Sequence, residues 1–397
     1  MNKIVVVGCS LAGLRTIEAL RREGFDGEIV AVGDEDAMPY DRPPLSKRFL
    51  KGEWDDDKIS LIRAGSEDLG VDWRLGTRAV SLDASSSQLK LESGESIGYD
   101  GLVIATGSRA RRLPFGEGLA GVHVLRSRAD AKALRADLAD GARVVVVGAG
   151  FIGMEVAATC RELGHEVSVV EPLPTPLVRG LGPVLGELVA DTHRAHGVVI
   201  RCGVGVSGFR GEGCVTGVEL ADGEVVDCDV AVVGIGVIPN TEWLGGSGLE
   251  LSNGVLCDAK GATNLEGVMA VGDVSRWANP LLPEPRRMEH WTNAVEQSDV
   301  VAKRLLHGDA AVEAFAPVAY VWTDQFELRI AVAGEVHQGA EMKVTHGTLE
   351  EGRCLILFGH EGKLTGAVGL KRPRPLLAMR RRMAEGISWQ EALAENA

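Results

Sequence analysis

Two short runs in this chain of 397 residues have the composition of a pyrophosphate-binding turn: Gly8-Cys9-Ser10-Leu11-Ala12-Gly13 and Gly148-Ala149-Gly150-Phe151-Ile152-Gly153. In such a turn the first glycine permits the tight bend and the last lets helix and strand pack closely. A small residue between them leaves the phosphates near the helix N-terminus. Free N–H groups and the helix dipole favour an anion there. The chemistry therefore demands a strand before each run and a helix after it. Residues 4–7 and 143–147 read as the strands, 14–23 and 154–163 as the helices. Ser10 replaces the middle glycine of the first run, and the second run keeps all three.

An acid should follow each unit, because a carboxylate accepts hydrogen bonds from ribose hydroxyls. After the first, strand 28–32 leads to Asp34 and Glu35. After the second, strand 166–170 ends in Glu171, 18 residues beyond Gly153. A carboxylate at Glu171 also repels a 2′-phosphate, and no Arg or Lys lies between Glu171 and Val178. NADH is expected to be preferred over NADPH. Two further strands end in small-residue turns: 102–104 before Ala105-Thr106-Gly107, and 230–233 before Gly234-Ile235-Gly236. Their recurrence points to a duplication. Residues 268–271 lead to Gly272-Asp273, an acid suited to the ribityl hydroxyls of a flavin.

Composition bounds the remaining possibilities. The chain is 45% hydrophobic and 25% charged, ordinary for a globular protein of two to three domains. Its 51 glycines fit many tight strand–helix turns. A formal net charge of −14 argues against a general nucleic-acid binder. No apolar run approaches a membrane span, and no secretory leader is expected. The seven cysteines form no close pair, which argues against a zinc site, an iron–sulfur site or a redox dithiol. They fit reduced thiols in a cytoplasmic protein. Neither H-E-x-x-H nor G-x-S-x-G occurs.

The two glycine runs, Ala105-Thr106-Gly107 and Gly272-Asp273 resemble the flavoprotein group with two dinucleotide sites that includes glutathione reductase. Pro39-Tyr40-Asp41-Arg42-Pro43-Pro44-Leu45-Ser46-Lys47 stands where the disulfide reductases of that group carry their cysteine pair. This segment is similar to the ferredoxin reductases of bacterial oxygenase systems. So are Glu289-His290-Trp291-Thr292-Asn293-Ala294, Tyr320-Val321-Trp322-Thr323-Asp324-Gln325 and Arg372-Pro373-Arg374-Pro375-Leu376. The likeness runs through essentially the whole chain in the family's order, with Ser10 as the departure.

The resemblance implies an α/β fold like that of glutathione reductase. It has two Rossmann-like domains, for FAD and NAD, and a C-terminal α+β domain. The FAD domain would comprise 1–113 and 242–317, the NADH domain 114–241, and the C-terminal domain, 318–397, would cap the flavin. It also implies roles. Gly8, Ser10, Ala12, Gly13, Ala105, Thr106, Gly107 and Asp273 would line FAD. Lys47 would lie beside the flavin ring, and Glu155 would stand between nicotinamide and flavin, paired with Lys47. Arg42 and Arg126 would contact the FAD phosphates or adenosine. Val80, taken to end a strand-like run after Gly76, would cradle adenine through its backbone. Trp291 and Trp322 would wall the flavin. Arg179 would reach the NADH adenine, and Gly236 would line the nucleotide site.

The expected activity is NADH:ferredoxin oxidoreduction serving a cytochrome P450 or ring-hydroxylating dioxygenase, by a monomer or weak homodimer. Lys371, Arg372, Arg374, Arg380, Arg381 and Arg382 form a basic run without acids, and Arg286 and Arg287 form another basic pair. Such a face would steer an acidic ferredoxin. An NADH oxidase, a rubredoxin or quinone reductase, and a redox interaction protein like apoptosis-inducing factor are alternatives on the same fold.

Overall fold

Lys3–Val7 and Arg143–Val147 each carry an unbroken run of β-branched residues, which favours pleated backbone and suits a strand covered on both faces. In the computed structural model, which describes residues 1–62, 69–139 and 141–396, each is the middle strand of a five-stranded parallel sheet. The first sheet has the order Val268–Ala270, Gly101–Ile104, Lys3–Val7, Glu28–Val32, Val71–Arg74. The second has the order Val199–Cys202, Glu166–Glu171, Arg143–Val147, Val230–Val233, Val122–Val124. Their central registers correspond: Val7 lies opposite Val32 and Ile104, and Val147 opposite Val170 and Val233.

The chain divides into two compact units, residues 1–41, 60–109 and 238–320 in one, and 42–59, 110–237 and 321–397 in the other. The first holds the first parallel sheet. Ile4, Val5, Val6, Leu102 and Val103 are fully buried in it, and each such side chain contributes about 1.5–3 kcal/mol. The helix Leu11–Arg22 follows the first strand directly, three residues earlier than the sequence indicated. Arg21 and Arg22 close it favourably against its dipole. The long helix Trp291–His307 lies along it, with the Ser298 hydroxyl donating to Ala12 O at 3.1 Å.

Val80 requires a correction. It does not end a strand; it is the second residue of Ala79–Asp83, the first strand of a small antiparallel sheet. The pairing passes from Ala79↔Leu91 to Ser81↔Lys90, so Val80 is the extra residue of a bulge. It is 39% exposed.

The second unit carries the second parallel sheet with the helices Phe151–Glu162 and Val178–Ala195. It also carries a C-terminal sheet in the order Tyr320–Gln325, Leu328–Gly334, Lys363–Leu370, Arg353–His360, Glu341–Thr348. Val169, Leu185 and Val189 share one core with Ile330, Val332 and Val368. The strand Glu341–Thr348 is an edge strand, largely exposed and polar. The chain closes with two helices, Pro373–Ala384 and Trp389–Glu395, the second started by a Ser388/Glu391 capping box.

Candidate functional site

The first glycine run is built so that only glycine serves at two positions. Gly8 has φ +121°, and a Cβ there would sit 2.1 Å from Ala105 O. A Cβ on Gly13 would sit 1.9 Å from Gly8 O. The turn is thus pressed against both its own helix and the Ala105-Thr106-Gly107 segment, with Ser10 as the helix N-cap. Gly272 joins the cluster, since a Cβ on it would lie 2.8 Å from the Ala12 Cβ. Its amide donates to Gln297 Oε1 at 2.8 Å. Asp273 follows on a short 3-10 turn and accepts from the Ser108 hydroxyl at 3.1 Å. Glu35 is held by the Tyr40 hydroxyl, and Asp34 is exposed beyond it. Trp291 donates from Nε1 to Asp41 Oδ1 at 2.9 Å. Thr106 is tied to Asn240 by its hydroxyl and its carbonyl, each at 2.9 Å.

These donors and acceptors suit a dinucleotide with a sugar-alcohol chain. The set comprises a helix N-terminus at Ser10, the carboxylates of Asp34 and Glu35, and that of Asp273, which accepts from Ser108.

The second run repeats the construction. A Cβ on Gly148 would lie 2.5 Å from Gly234 O, and one on Gly153 would lie 2.1 Å from Gly148 O. Gly150, the helix N-cap, has nothing within 4 Å of its Cβ position. Its smallness therefore serves no packing inside the protein and leaves room for a ligand. Phe151 and the 45% exposed Ile152 open the helix. Glu171 is nearly buried; Oε2 accepts from Ala149 N at 2.7 Å and Oε1 from Leu173 N at 2.9 Å. Each oxygen has further lone-pair capacity for a hydroxyl. A Cβ on Gly180 would lie 3.1 Å from the Phe151 ring, so the neighbouring Arg179, which is exposed, sits near the turn. Gly236 has φ +94° and accepts from Arg111 N at 2.9 Å.

The third cluster is in the second unit. Pro43–Ser46 forms a 3-10 turn, with Lys47 as its C-cap. Lys47 Nζ lies 2.6 Å from Glu155 Oε2, with the carboxylate side chain 3% exposed. Ser46 Oγ donates to the same oxygen at 2.5 Å, and Thr323 Oγ1 donates to Oε1 at 2.7 Å. Thr159 Oγ1 donates to Ser46 O at 2.8 Å and clamps the turn to the helix. Arg42, one residue before the turn, donates to Arg126 O at 2.6 Å. Trp322 precedes Thr323 on the same strand and is half-buried.

Ser46, Thr323 and Thr159 were not singled out from the sequence. The first two lie inside the segments quoted for the family likeness, which is the signal that could have found them. Ser108 carried no such signal.

The basic residues are not equivalent. The Arg287 side chain is 9% exposed, pairs with Glu289 and donates to Asp273 O at 3.1 Å, so its charge is partly committed inside the protein. Arg382 pairs with Glu385 and Glu395, which raises its pKa and ties the two C-terminal helices together. Lys371, Arg374 and Arg381 are exposed. Burial and the Asp34 charge push the Cys9 thiol up to about 12, and burial does the same to Cys160, so both stay protonated. Among the described residues no group of His, Cys, Asp and Glu could hold a metal, and no helix is long and apolar enough to cross a membrane.

The chain belongs to the pyridine nucleotide-disulphide oxidoreductase family, whose model matches residues 2–298, and a reductase C-terminal model matches 320–397. It is an oxidoreductase of that family, whose members use FAD and NAD(H). It is 35% identical to rhodocoxin reductase of Rhodococcus erythropolis over 96% of this chain and 89% of that one. It is 36% identical to the ferredoxin–NAD(+) reductase subunit of the benzene 1,2-dioxygenase system of Pseudomonas putida, over 99% of this chain and 95% of that one. Among solved structures, a chain of the covalent putidaredoxin reductase–putidaredoxin complex superposes with a TM-score of 0.92, at 29% identity over 98% of this chain and 94% of that one. The ferredoxin reductase for the CYP199A2 system of Rhodopseudomonas palustris gives 0.92 at 32% identity over 98% and 96%.

Proposed function

We propose that this chain is a ferredoxin–NAD(+) reductase that carries electrons from NADH to an iron–sulfur ferredoxin serving a dioxygenase or a P450. The observation that carries this reading is the Lys47–Glu155 pair, in a chain with two glycine turns and no cysteine pair where the disulfide reductases have theirs. Bound FAD supplies hydride acceptance from nicotinamide and release of electrons one at a time. Gly8, Ser10, Ala12 and Gly13 hold its pyrophosphate at the helix N-terminus. Asp34 and Glu35 take its ribose, Asp273 its ribityl chain, and Ala105, Thr106 and Gly107 line the same turn. Arg42 and Arg126 serve its phosphates or adenosine, and the Val80 backbone its adenine. Trp291 and Trp322 shield its ring from water.

Gly148, Gly150, Phe151, Ile152 and Gly153 receive NADH, with Gly236 beside them and Arg179 toward the adenine. Glu171 binds the ribose hydroxyls and disfavours NADPH. Lys47 holds a positive charge that favours the reduced cofactor, and Glu155 fixes the position of that charge. The exposed Lys371, Arg374 and Arg381 steer the acidic partner.

The experiment is NADH-driven reduction of cytochrome c with and without a ferredoxin from an oxygenase system. The reading expects strong ferredoxin dependence. Equal rates without ferredoxin would favour a quinone reductase or NADH oxidase.

A further inference from the structure

Glu155 is the end of a longer buried chain. Thr323, Gln325 and His193 are 1%, 1% and 0% exposed. Gln325 Nε2 donates to Thr323 Oγ1 at 3.0 Å, and His193 Nε2 meets Gln325 Oε1 at 3.0 Å. Together with the Thr323–Glu155 contact, four side chains from the helices Phe151–Glu162 and Val178–Ala195 and the strand Tyr320–Gln325 form one line. Burying this much polar surface is costly unless every group finds its partner.

The direction of the line follows from its end. An ionised carboxylate only accepts, so Thr323 must donate its proton to Glu155. The lone pairs of Thr323 then face Gln325, which must present Nε2–H. That turns Oε1 toward His193 and makes Nε2 the protonated nitrogen of the imidazole. Nδ1 is buried without a hydrogen-bond partner, as a neutral ring allows. The ring is fixed by Phe326, edge-on at 4.9 Å. The line does not conduct protons, because Gln325 would have to surrender an amide proton to pass one on. What it does is fix orientation.

We propose that Thr323 and Gln325, anchored by His193, are positioning residues that dedicate one oxygen of Glu155 to the Lys47 ammonium. Oε1 is occupied by Thr323, so Oε2 alone faces Ser46 and Lys47. The functional weight of this device rests on the proposed role of the Lys47–Glu155 pair; its geometry does not. Without the Thr323 hydroxyl the carboxylate is free to turn, and Lys47 loses its fixed counter-charge. Nζ, now held between Glu155 Oε2 at 2.6 Å and Pro43 O at 3.3 Å, is then released and more open to an acylating reagent.

The test uses the purified flavin-loaded protein without NADH. Acetylation of Lys47 by acetic anhydride is followed by mass spectrometry against time at one fixed pH. Thr323→Val, of the same shape, should acetylate Lys47 about tenfold faster, the equivalent of one lost hydrogen bond to a charged group. Thr323→Ser, which keeps the hydroxyl, should restore the wild-type rate. Gln325→Met should also accelerate labelling, and it carries the test if Thr323→Val does not fold. Labelling of Lys47 at the wild-type rate in whichever of these folds would overturn the proposal. That outcome would leave ferredoxin-dependent cytochrome c reduction unaffected, so the two failures are distinguishable.

Discussion

Glu155 meets Lys47 at 2.6 Å from within a helix that follows a nucleotide-type glycine turn, while Lys47 caps a turn fixed by two prolines. The pair links two segments 108 residues apart in sequence. Lys47→Met should therefore strand a carboxylate in a nearly closed site. Breaking a buried pair from one side costs about 3–5 kcal/mol, and the partial exposure of Lys47 places this case at the lower end. The double variant Lys47→Met, Glu155→Gln should recover much of the loss. Thermal unfolding of the wild type, Lys47→Met, Glu155→Gln and the double variant measures it; a double variant no more stable than Lys47→Met would contradict the pairing energetics.

The glycines of the second turn should divide by function. Gly153→Ala forces a Cβ to 2.1 Å from Gly148 O and should destabilise by about 1–3 kcal/mol or more. Gly150→Ala meets open space within the protein and should fold with wild-type stability. Its methyl group should instead raise KM for NADH. Equal stability losses in the two variants would show that Gly150 is kept for folding.

The acid of the second nucleotide turn sets cofactor choice in this account. Glu171→Ala should lower kcat/KM for NADH about tenfold or more through the lost hydrogen bonds, while NADPH is affected less. The NADH/NADPH ratio is the informative quantity, because Glu171 also steadies Ala149 N and Leu173 N. A ratio unchanged by the substitution would remove Glu171 from cofactor selection.

Burial lowers the His193 imidazole from 6.5 to about 4, against smaller opposing effects of Gln325 and Glu327 and a further lowering by His196. A depressed folded-state value means stability that is intact above the unfolded value and is lost as pH falls through the folded one. Acidification from about pH 6.5 to 4 should therefore remove roughly 3 kcal/mol through this one group. His193→Gln should flatten that part of the profile. An identical acid slope in the variant, read by thermal unfolding across this range, would assign the acid loss to other groups.

Much of the fold was legible because the signals are local. Unbroken valine runs marked both central strands, and two glycine spacings marked the turns that follow. What stayed hidden depends on distant partners. Arg287 and Arg382 read as members of basic clusters, yet Glu289, Glu385 and Glu395 claim them in the folded chain. His193 lies in a polar stretch of helix, and nothing nearby announces Gln325, 132 residues on. The place of Val80 inside a strand, not at its end, stayed hidden because a bulge leaves no mark in a short alternating run.

The proposed docking face consequently narrows to exposed positions. Arg374→Glu with Arg381→Glu should slow association with ferredoxin and weaken its salt dependence, since exposed charges act mainly through steering. Arg382→Glu should instead loosen the C-terminal helices by repelling Glu385 and Glu395. Stopped-flow rates at low and high salt distinguish these; a double variant as fast as wild type at low salt would place the dock elsewhere.

The central claim is that electrons enter as a pair from NADH and leave singly to a ferredoxin. The most direct measurement is anaerobic stopped-flow mixing of the NADH-reduced protein with an oxidised ferredoxin from an oxygenase system, following the iron–sulfur absorbance. The account predicts rapid reduction of two ferredoxin molecules for each NADH consumed. A ferredoxin that stays oxidised, while the same reduced protein is promptly reoxidised by oxygen or a quinone, would contradict it.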